Sequence, residues 1–191
     1  MASQTLKRLP HRTRLSVRRA TLNLLSGRAV TVAGSLVPKA PRERVGLQVL
    51  GRHGWRIVAH ALTGARGRFT LHYLPGSTGS VQLRVHFSGD GSALPSTRRL
   101  GRLTVYRLAT ASWYGGGGGL ACGGQLTSST LGVANKTLPC GTIVTLRDNG
   151  HTLRVPVVDR GPFVAGREFD LTEATKDALG FEGVGDVWVT P

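Results

Sequence analysis

The first half of the sequence alternates between apolar and polar residues, and this pattern limits its fold more than any other feature. A period of two places apolar side chains on one face of a strand and polar side chains on the other. The apolar positions of the alternating runs are Val30, Val32, Val45, Leu47, Val49, Trp55, Ile57, Ala59, Ala61, Phe69, Leu71, Tyr73, Val81, Leu83, Val85, Phe87, Leu103 and Val105. Turn-forming residues separate the runs. The pattern predicts about seven short strands and an immunoglobulin-like β-sandwich over residues 20–107.

Within one of these runs the alternation assigns each residue to a face. Trp55 and Ile57 share a face with Ala59, and Arg56 and His60 lie on the other face. We therefore expect Trp55 to lie in the core. Aromatic side chains in a core cannot stack on bases, and no helix is indicated that could enter a major groove. Both features argue against a specific nucleic-acid partner.

The charge of the chain is concentrated in the same half. Residues 1–107 contain 19 Lys and Arg but only 2 Asp and Glu, whereas residues 108–191 contain 6 and 8, for a formal net charge of +15 overall. This asymmetry indicates two units with different roles and a polyanionic partner for the first unit. Nucleic acid, an anionic membrane surface and an acidic wall polymer are the candidates. Residues 1–19 are polar and basic, and we expect a tail or a frayed first strand there.

Composition excludes several classes of protein. Hydrophobic residues make up 40% of the chain, which is enough for a packed core. No apolar run approaches the ~18 residues of a membrane span, so no transmembrane segment is expected. The first residues are basic but lack the apolar region of a signal peptide, so no export signal is visible in this chain.

The second half follows a different pattern. A strand from Ile143 to Leu146 and a return strand from Thr152 to Val158 flank Asn149-Gly150, which is a strong hairpin signal. A short apolar stripe then predicts one helix. Asp170 and Glu173 form a capping pattern at its start, and Gly180 is a stop signal at its end.

Cys122 and Cys140 are the only cysteines of the chain. They have neither the close spacing nor the neighbouring His of a structural zinc site, so no metal site is indicated. Two buried thiols and one disulfide are both compatible with the sequence.

Two carboxylates stand out as candidate catalytic groups. Asp159 ends an apolar strand that runs into a Gly-Pro turn, and Asp170 follows eleven positions later. Glycosidic bond cleavage usually requires two carboxylates, and proximity raises the pKa of one of them so that it can act as an acid. The alternative is structural: Asp159 binds only turn amides, and Asp170 only caps the helix.

An aromatic pair precedes a run of glycines. Trp113 and Tyr114 could form a stacking platform for sugar rings, although such a pair more often serves ordinary packing. The run from Gly115 to Gly119 cannot form a stable strand or helix by itself, which indicates a flexible loop or a close approach of another chain.

Taken together, these pieces resemble the rare lipoprotein A (RlpA) family, whose double-psi β-barrel is related to barwin, expansins and family 45 endoglucanases. The stretches that carry the resemblance are Ala111-Ser112-Trp113-Tyr114-Gly115, Gly132-Val133-Ala134-Asn135-Lys136-Thr137-Leu138-Pro139-Cys140-Gly141-Thr142, Val158-Asp159-Arg160-Gly161-Pro162-Phe163 and Gly166-Arg167-Glu168-Phe169-Asp170-Leu171. For residues 108–191 the resemblance implies a six-stranded double-psi barrel with one short helix. The whole chain is therefore expected to be all-β.

The resemblance also implies a location and a covalent link. Family members are secreted or envelope proteins that act on the cell wall, and the cysteine pair resembles that of the actinobacterial variant. A disulfide between Cys122 and Cys140 follows from this resemblance. The basic first half is then expected to adhere to anionic wall polymers.

The activity implied is that of a septal-ring lytic transglycosylase acting on peptidoglycan glycan strands, with no cofactor. Characterised members prefer strands stripped of stem peptides. An acid protonates the glycosidic oxygen, and a base takes the proton of the sugar's own 6-hydroxyl to close a 1,6-anhydro ring without water. Asp159 is the leading catalytic residue by this resemblance, with Asp170 as a second acid. The substrate-binding residues implied are Ser112, Trp113, Tyr114, Gln125, Thr127, Asn135 and Arg160.

Two positions depart from the family pattern. Asn135 stands where the family often has His, and an acidic residue is often found near the position of Gln125. Asn and Gln form hydrogen bonds but cannot exchange protons. A non-catalytic, expansin-like module that binds or loosens peptidoglycan is therefore the alternative to the enzyme.

Overall fold

The computed structural model describes residues 9–190, and the chain divides into two compact units between Val105 and Tyr106. The expected all-β architecture is confirmed. The strands are β1 (Arg14–Ala20), β2 (Asn23–Leu25), β3 (Val30–Val37), β4 (Arg44–Gly51), β5 (Gly54–Leu62), β6 (Arg68–Tyr73), β7 (Gly79–Phe87), β8 (Ser96–Tyr114), β9 (Gly118–Gly119), β10 (Gln125–Leu126), β11 (Val133–Asn135), β12 (Ile143–Asp148), β13 (His151–Asp159), β14 (Phe169–Thr172) and β15 (Gly185–Thr190). One helix, α1 (Glu173–Leu179), and one 3-10 turn (Ala65–Gly67) complete the elements.

The first unit contains two antiparallel sheets. One has the order β1-β3-β6, and the other has the order β5-β4-β7-β8 with β2 paired to β8. Residues 14–19, expected in a tail or a frayed first strand, belong to β1, which pairs with β3. Residues 1–8 lie outside the described part of the chain.

Both sheets contribute to one hydrophobic core. Its buried members are Leu15, Leu24, Val30, Val32, Leu36, Val45, Leu47, Val49, Phe69, Leu71, Leu83, Val85, Phe87, Ala93, Leu103 and Val105. Most of these are apolar positions of the alternating runs. A two-layer β-sandwich therefore forms, because each sheet buries its apolar face against the other. The closer description as immunoglobulin-like stays a prediction.

The expected face assignment of Trp55 and Ile57 is wrong. A bulge interrupts the pairing of β4 and β5, where Leu47 pairs with Ala59 but Gln48 pairs with Ile57. The extra residue in β5 reverses the alternation, since two residues of one strand then oppose one residue of the other. Ile57 is consequently 56% exposed, and Trp55 contacts the guanidinium of Arg84 rather than the core.

The second unit contains the expected six-stranded barrel. The strand order is β14-β11-β13-β12-β15-β8, and an additional parallel pairing of β14 with β8 closes the sheet. The contact of β11 with β13 is also parallel, and the remaining pairs are antiparallel. Closure leaves none of the six strands as a free edge.

Local sequence signals explain the remaining elements of this unit. Asn149 and Gly150 both have positive φ and form the two-residue turn between β12 and β13. Gly180 ends α1 in the left-handed conformation, and its N–H bonds carbonyl groups of the last turn. The glycine run was expected to form no strand, but Gly118–Gly119 pairs with Gln125–Leu126 as a two-residue hairpin ladder. No helix within residues 9–190 is long and apolar enough to cross a membrane.

A second bulge determines where Asp159 lies. Val133 pairs with Val157, whereas the next residue, Ala134, pairs with Asp159. Val157 lies in the barrel core, so strict alternation would also place Asp159 on the inner face. Val158 is the extra residue, and it moves Asp159 to the opposite face of the barrel wall.

Gly132 makes room for this bulge. A Cβ atom at this position would lie 2.5 Å and 2.7 Å from the two methyl carbons of Val158. The Gly132 amide also donates to the buried hydroxyl of Thr175 at 2.8 Å. The backbone on one side of the bulge is therefore fixed by a hydrogen bond and tightly packed against Val158.

We predict that Gly132→Ala destabilises the barrel by about 1–3 kcal/mol, because the added methyl group overpacks the Val158 site. Hydrogen exchange of the β13 amides measures the effect locally. Gly119→Ala is the matched control, because a Cβ there meets no atom within 4 Å. Equal protection in Gly132→Ala and in the parent protein would contradict this packing argument.

Candidate active site

Four residues on neighbouring barrel strands form one row across the sheet. Ser112 of β8 pairs with Asp170 of β14, Asp170 pairs with Ala134 of β11, and Ala134 pairs with Asp159 of β13. The two candidate carboxylates therefore flank Ala134 on either side. Since partnered residues point to the same face of a sheet, both carboxylates lie on the face of the barrel wall opposite to the core.

Asp170 is held by Ser112 and is partly buried. The Ser112 hydroxyl donates to Asp170 Oδ1 at 2.8 Å. Burial raises the pKa of Asp170, the Ser112 bond and Arg167 oppose this rise, and the negative charge of Asp159 adds to it. The alternative role as a helix cap is wrong, because α1 begins after Thr172 and Asp170 belongs to β14.

Asp159 is held by the backbone. Its Oδ1 accepts hydrogen bonds from the amides of Ala121 and Arg160, each at 2.8 Å. The carboxylate thus binds amides, as the structural alternative requires, and its charge also acts on Asp170, two strands away. The segment that supplies the Ala121 amide is fixed on its other side, where the Cys122 amide donates to the Val158 carbonyl at 3.2 Å.

The implied disulfide between Cys122 and Cys140 is present, with a Cα–Cα distance of 5.5 Å. It links the segment that holds Asp159 to the loop after β11. A closed loop of this size stabilises a fold by roughly 3 kcal/mol on the chain-entropy model. The link therefore supports the positions of the groups around Asp159.

Tyr114 lies beside both carboxylates. Its hydroxyl is buried and has no hydrogen-bond partner of good geometry within the described residues. Burial raises the pKa of Tyr114 strongly, and the negative charges of Asp159 and Asp170 raise it further. The phenol is therefore protonated at neutral pH and can donate a hydrogen bond toward either carboxylate or a bound ligand.

Asn135 and Arg160 organise the loop that follows β11. The Asn135 side chain is only 3% exposed; its Oδ1 accepts from the amides of Thr137 and Leu138, and its Nδ2 donates to the Glu168 carbonyl. The Arg160 guanidinium donates to the carbonyls of Asn135 and Leu138 at 3.1 Å and 3.0 Å. Both polar groups are thus engaged by the protein itself.

The other residues that the sequence points to lie on exposed segments. Gln125 belongs to the short β9–β10 hairpin, and Thr127 forms a turn with Thr130. Trp113 is 41% exposed, and the ammonium of Lys176 lies 4.7 Å from its ring centroid. Among residues 9–190, no group of three or more His, Cys, Asp or Glu side chains is placed to hold a metal ion.

Phe163 is a candidate binding residue that sequence reasoning missed. It follows Gly161 and Pro162, which are both buried, and its own side chain is 83% exposed. The turn after Asp159 therefore has a buried base and presents an aromatic ring to solvent. Its place in a Gly-Pro turn beside the candidate carboxylate was the available signal.

Comparison with known families gives one match to the second unit. Residues 108–190 match the family model described as lytic transglycolase. A solved structure of Streptomyces papain inhibitor overlaps 44% of this chain and 92% of its own, at 23% identity. The TM-score of this overlap is 0.37.

Several curated relatives match part of the chain. The probable endolytic peptidoglycan transglycosylase RlpA from Synechocystis is 35% identical over 111 residues, which is 50% of this chain and 35% of the relative. The protein of the same name from Aquifex aeolicus is 41% identical over 80 residues, which is 39% of this chain and 35% of the relative. Endolytic peptidoglycan transglycosylase RlpA from Pseudomonas aeruginosa is 41% identical over 87 residues, or 42% of this chain and 26% of the relative. The aligned part of the chain thus spans between 26% and 35% of the length of these relatives.

The closed barrel, the disulfide and the aligned relatives together define the class of this domain. Residues 108–190 form a closed six-stranded barrel that is similar to the double-psi β-barrel of the RlpA proteins. The resemblance to RlpA proteins in the second half of the sequence is confirmed.

We predict that Asp170→Asn increases the free energy of unfolding at neutral pH, because burial disfavours the charged carboxylate. The pKa of Asp170 is raised in the folded state, so the folded state binds more protons in the window above the ordinary value of about 3.9. The stability of the parent protein therefore falls as the pH rises through this window. The difference in free energy of unfolding between Asp170→Asn and the parent protein grows accordingly.

Chemical denaturation from about pH 3 to about pH 8 measures this difference. Glu182→Gln is the control, because it removes an exposed carboxylate. If the excess stability of Asp170→Asn over the parent protein shrinks as the pH rises, the pKa of Asp170 is not raised in the folded state.

Proposed function

We propose that the second unit is a peptidoglycan lytic transglycosylase that cleaves glycan strands without water. The observation that carries this proposal is the strand pairing of Ala134 with Asp159 on one side and with Asp170 on the other, which places both carboxylates on one face of the barrel wall. The names of the aligned relatives support the substrate class. A wall or envelope location for the protein belongs to the same proposal.

Asp170 is the proposed general acid. Burial raises its pKa, which favours the protonated form that can donate to the glycosidic oxygen. Its hydrogen bond from Ser112 occupies one oxygen and orients the group. Ser112 is therefore a positioning residue in this proposal.

Asp159 is the proposed base. Two backbone amides donate to its Oδ1 atom and fix its orientation. It accepts the proton of the sugar's own 6-hydroxyl, whose oxygen attacks the anomeric carbon as the glycosidic bond breaks. The departing oxygen takes its proton from Asp170, so the products are an anhydro end and a free hydroxyl end, with no water consumed.

The surrounding residues have separate proposed roles. Tyr114 donates a hydrogen bond to the substrate or to the charge that develops between the carboxylates. Phe163 and Trp113 offer exposed rings to sugar faces, and Gln125 and Thr127 are proposed glycan contacts on the neighbouring exposed segments. Asn135 and Arg160 act by fixing the loop after β11, because their polar atoms bind backbone groups.

An expansin-like module is the second candidate for this unit. It is favoured by Asn135, because family members often have an ionisable His where this chain has an amide. The polar atoms of that amide also bind backbone groups. Under this alternative the groove binds peptidoglycan and loosens it without breaking bonds. Binding then persists in Asp159→Asn, and no product forms.

We expect the protein to release anhydro-muropeptides from purified peptidoglycan, more from amidase-treated than from intact material. Asp159→Asn and Asp170→Asn should each lower the rate by at least about 100-fold, since each removes one proton-transfer group. Mass spectrometry of the soluble products measures this. Glu182→Gln is the matched control, because it removes an exposed carboxylate outside the row.

Two outcomes of this assay would contradict the proposal. A folded protein that releases no anhydro product but binds the wall favours the expansin-like module. Full activity in Asp159→Asn would overturn the assignment of the base while leaving the activity in place.

We also propose that the first unit adheres to anionic polymers of the wall. The charge of residues 1–105, with 18 basic and 2 acidic residues, supports this role. Pull-down of the full chain on wall material should weaken when anionic polymers are extracted and when salt is raised. If the amount of bound protein changes neither with polymer extraction nor with salt, adhesion by charge is contradicted.

A further inference from the structure

A recess lies on the outer face of the β5-β4-β7 sheet in the first unit. Its floor is Gly46, which pairs with His60 on one side and with His86 on the other. A Cβ atom on Gly46 would lie 3.8 Å from the His86 carbonyl oxygen and from two side-chain carbons of Ile57, so a side chain can be added at this floor without a clash. The cavity above this floor has a volume of about 420 Å³.

The charged side chains that line this recess are balanced in number, with two arginines and two carboxylates. Arg42 and Arg44 line it together with the two histidines, and Glu43 and Asp90 are its acidic members. The Oδ1 atom of Asp90 already accepts bonds from the amides of Ser92 and Ala93 at 2.7 Å and 2.8 Å. This carboxylate therefore holds its own loop.

An arginine beside the recess is held in place before any ligand binds. The Nε of Arg84 donates to Gln48 Oε1 at 2.6 Å, and Gln48 is only 7% exposed and lines the recess. The Arg84 guanidinium lies 4.1 Å from the Trp55 ring centroid. A fixed guanidinium loses little side-chain entropy on binding an anion.

No carboxylate neutralises this arginine in the described structure. The two ion pairs among residues 9–190, Arg107–Glu168 and Lys176–Asp177, both lie in the second unit. Burial and the neighbouring charge of Arg99 lower the pKa of Arg84, and burial and Arg84 lower the pKa of His86. Arg84 thus places a positive charge beside the recess that no ion pair within residues 9–190 compensates, which favours an anionic ligand.

We propose that the recess over Gly46 is a discrete binding site for the phosphate groups of a sugar- or polyol-phosphate polymer. This inference rests on the proposed adhesion of the first unit to the wall and assigns that adhesion to one place. Arginine side chains bind phosphate through paired N–H donors, and the exposed Ile57 provides apolar contact for the carbon chain between phosphates. The Arg84 guanidinium covers one face of the Trp55 ring, which leaves that face unable to stack on a base.

Gly46→Val tests the shape of this site without changing its charge. The valine side chain fills the recess, and a β-branched residue suits a strand. We expect affinity for a glycerol-phosphate oligomer to fall at least about tenfold in the full chain, with the unfolding transition retained. Gly46→Ala is the milder second variant and should give a smaller loss in the same direction.

Charge variants test whether the binding is local. Arg44→Gln should weaken binding several-fold, and Glu43→Gln should strengthen it. Arg28→Gln removes the same charge from an exposed turn before β3 and should change affinity less than about twofold at the same ionic strength. Equal losses in Arg44→Gln and Arg28→Gln would overturn the discrete site in favour of diffuse charge.

Two comparisons separate the remaining explanations. Single-stranded DNA with the same number of phosphates, and a carboxylate polysaccharide, should both bind more weakly than the glycerol-phosphate oligomer; equal binding of either overturns the proposed ligand. Pull-down on wall material separates this inference from the adhesion proposal. If the parent protein and Gly46→Val bind the wall equally well, the recess is refuted but adhesion is not. If the parent protein does not bind the wall, adhesion itself is refuted.

Discussion

The bulge at Val158 is the feature on which the candidate active site depends. The barrel wall has a core face and an opposite face, and regular alternation along β13 would turn Asp159 toward the core, where an unpaired carboxylate is costly. One additional residue reverses the alternation and places Asp159 in the same row as Asp170. The absence of a side chain at Gly132 and the bond from Cys122 to the Val158 carbonyl both accommodate this geometry.

Much of the fold follows from sequence patterns that act over short distances. The alternating runs predict the strands of the first unit, and Asn149-Gly150 and Gly180 mark a hairpin and a helix end that the structure contains. Bulges were not predictable, because one extra residue in a strand looks the same in sequence as continued alternation. Such a bulge explains the wrong face assignment of Trp55 and Ile57. A bulge also explains why Asp159 lies on the face opposite to the core.

The candidate site shows a similar division between local and long-range information. The motifs point to Asp159 and Asp170, but their relation through Ala134 requires the pairing of three strands distant in sequence. The capping role considered for Asp170 relied on spacing alone, and it fails because β14 extends to Thr172. Residue type also did not show that Asn135 and Arg160 bind backbone groups, since the same polar atoms can contact a glycan.

The central claim is that Asp159 and Asp170 form one coupled pair, and carbon-detected NMR titration of the Asp170 carboxyl tests it most directly. The account predicts that Asp170 titrates above the ordinary range of an aspartate, because burial and the charge of Asp159 both raise its pKa. In Asp159→Asn the pKa of Asp170 should fall, since the neighbouring negative charge is removed. An Asp170 that titrates in the ordinary range, or one that Asp159→Asn leaves unchanged, would contradict the coupled pair.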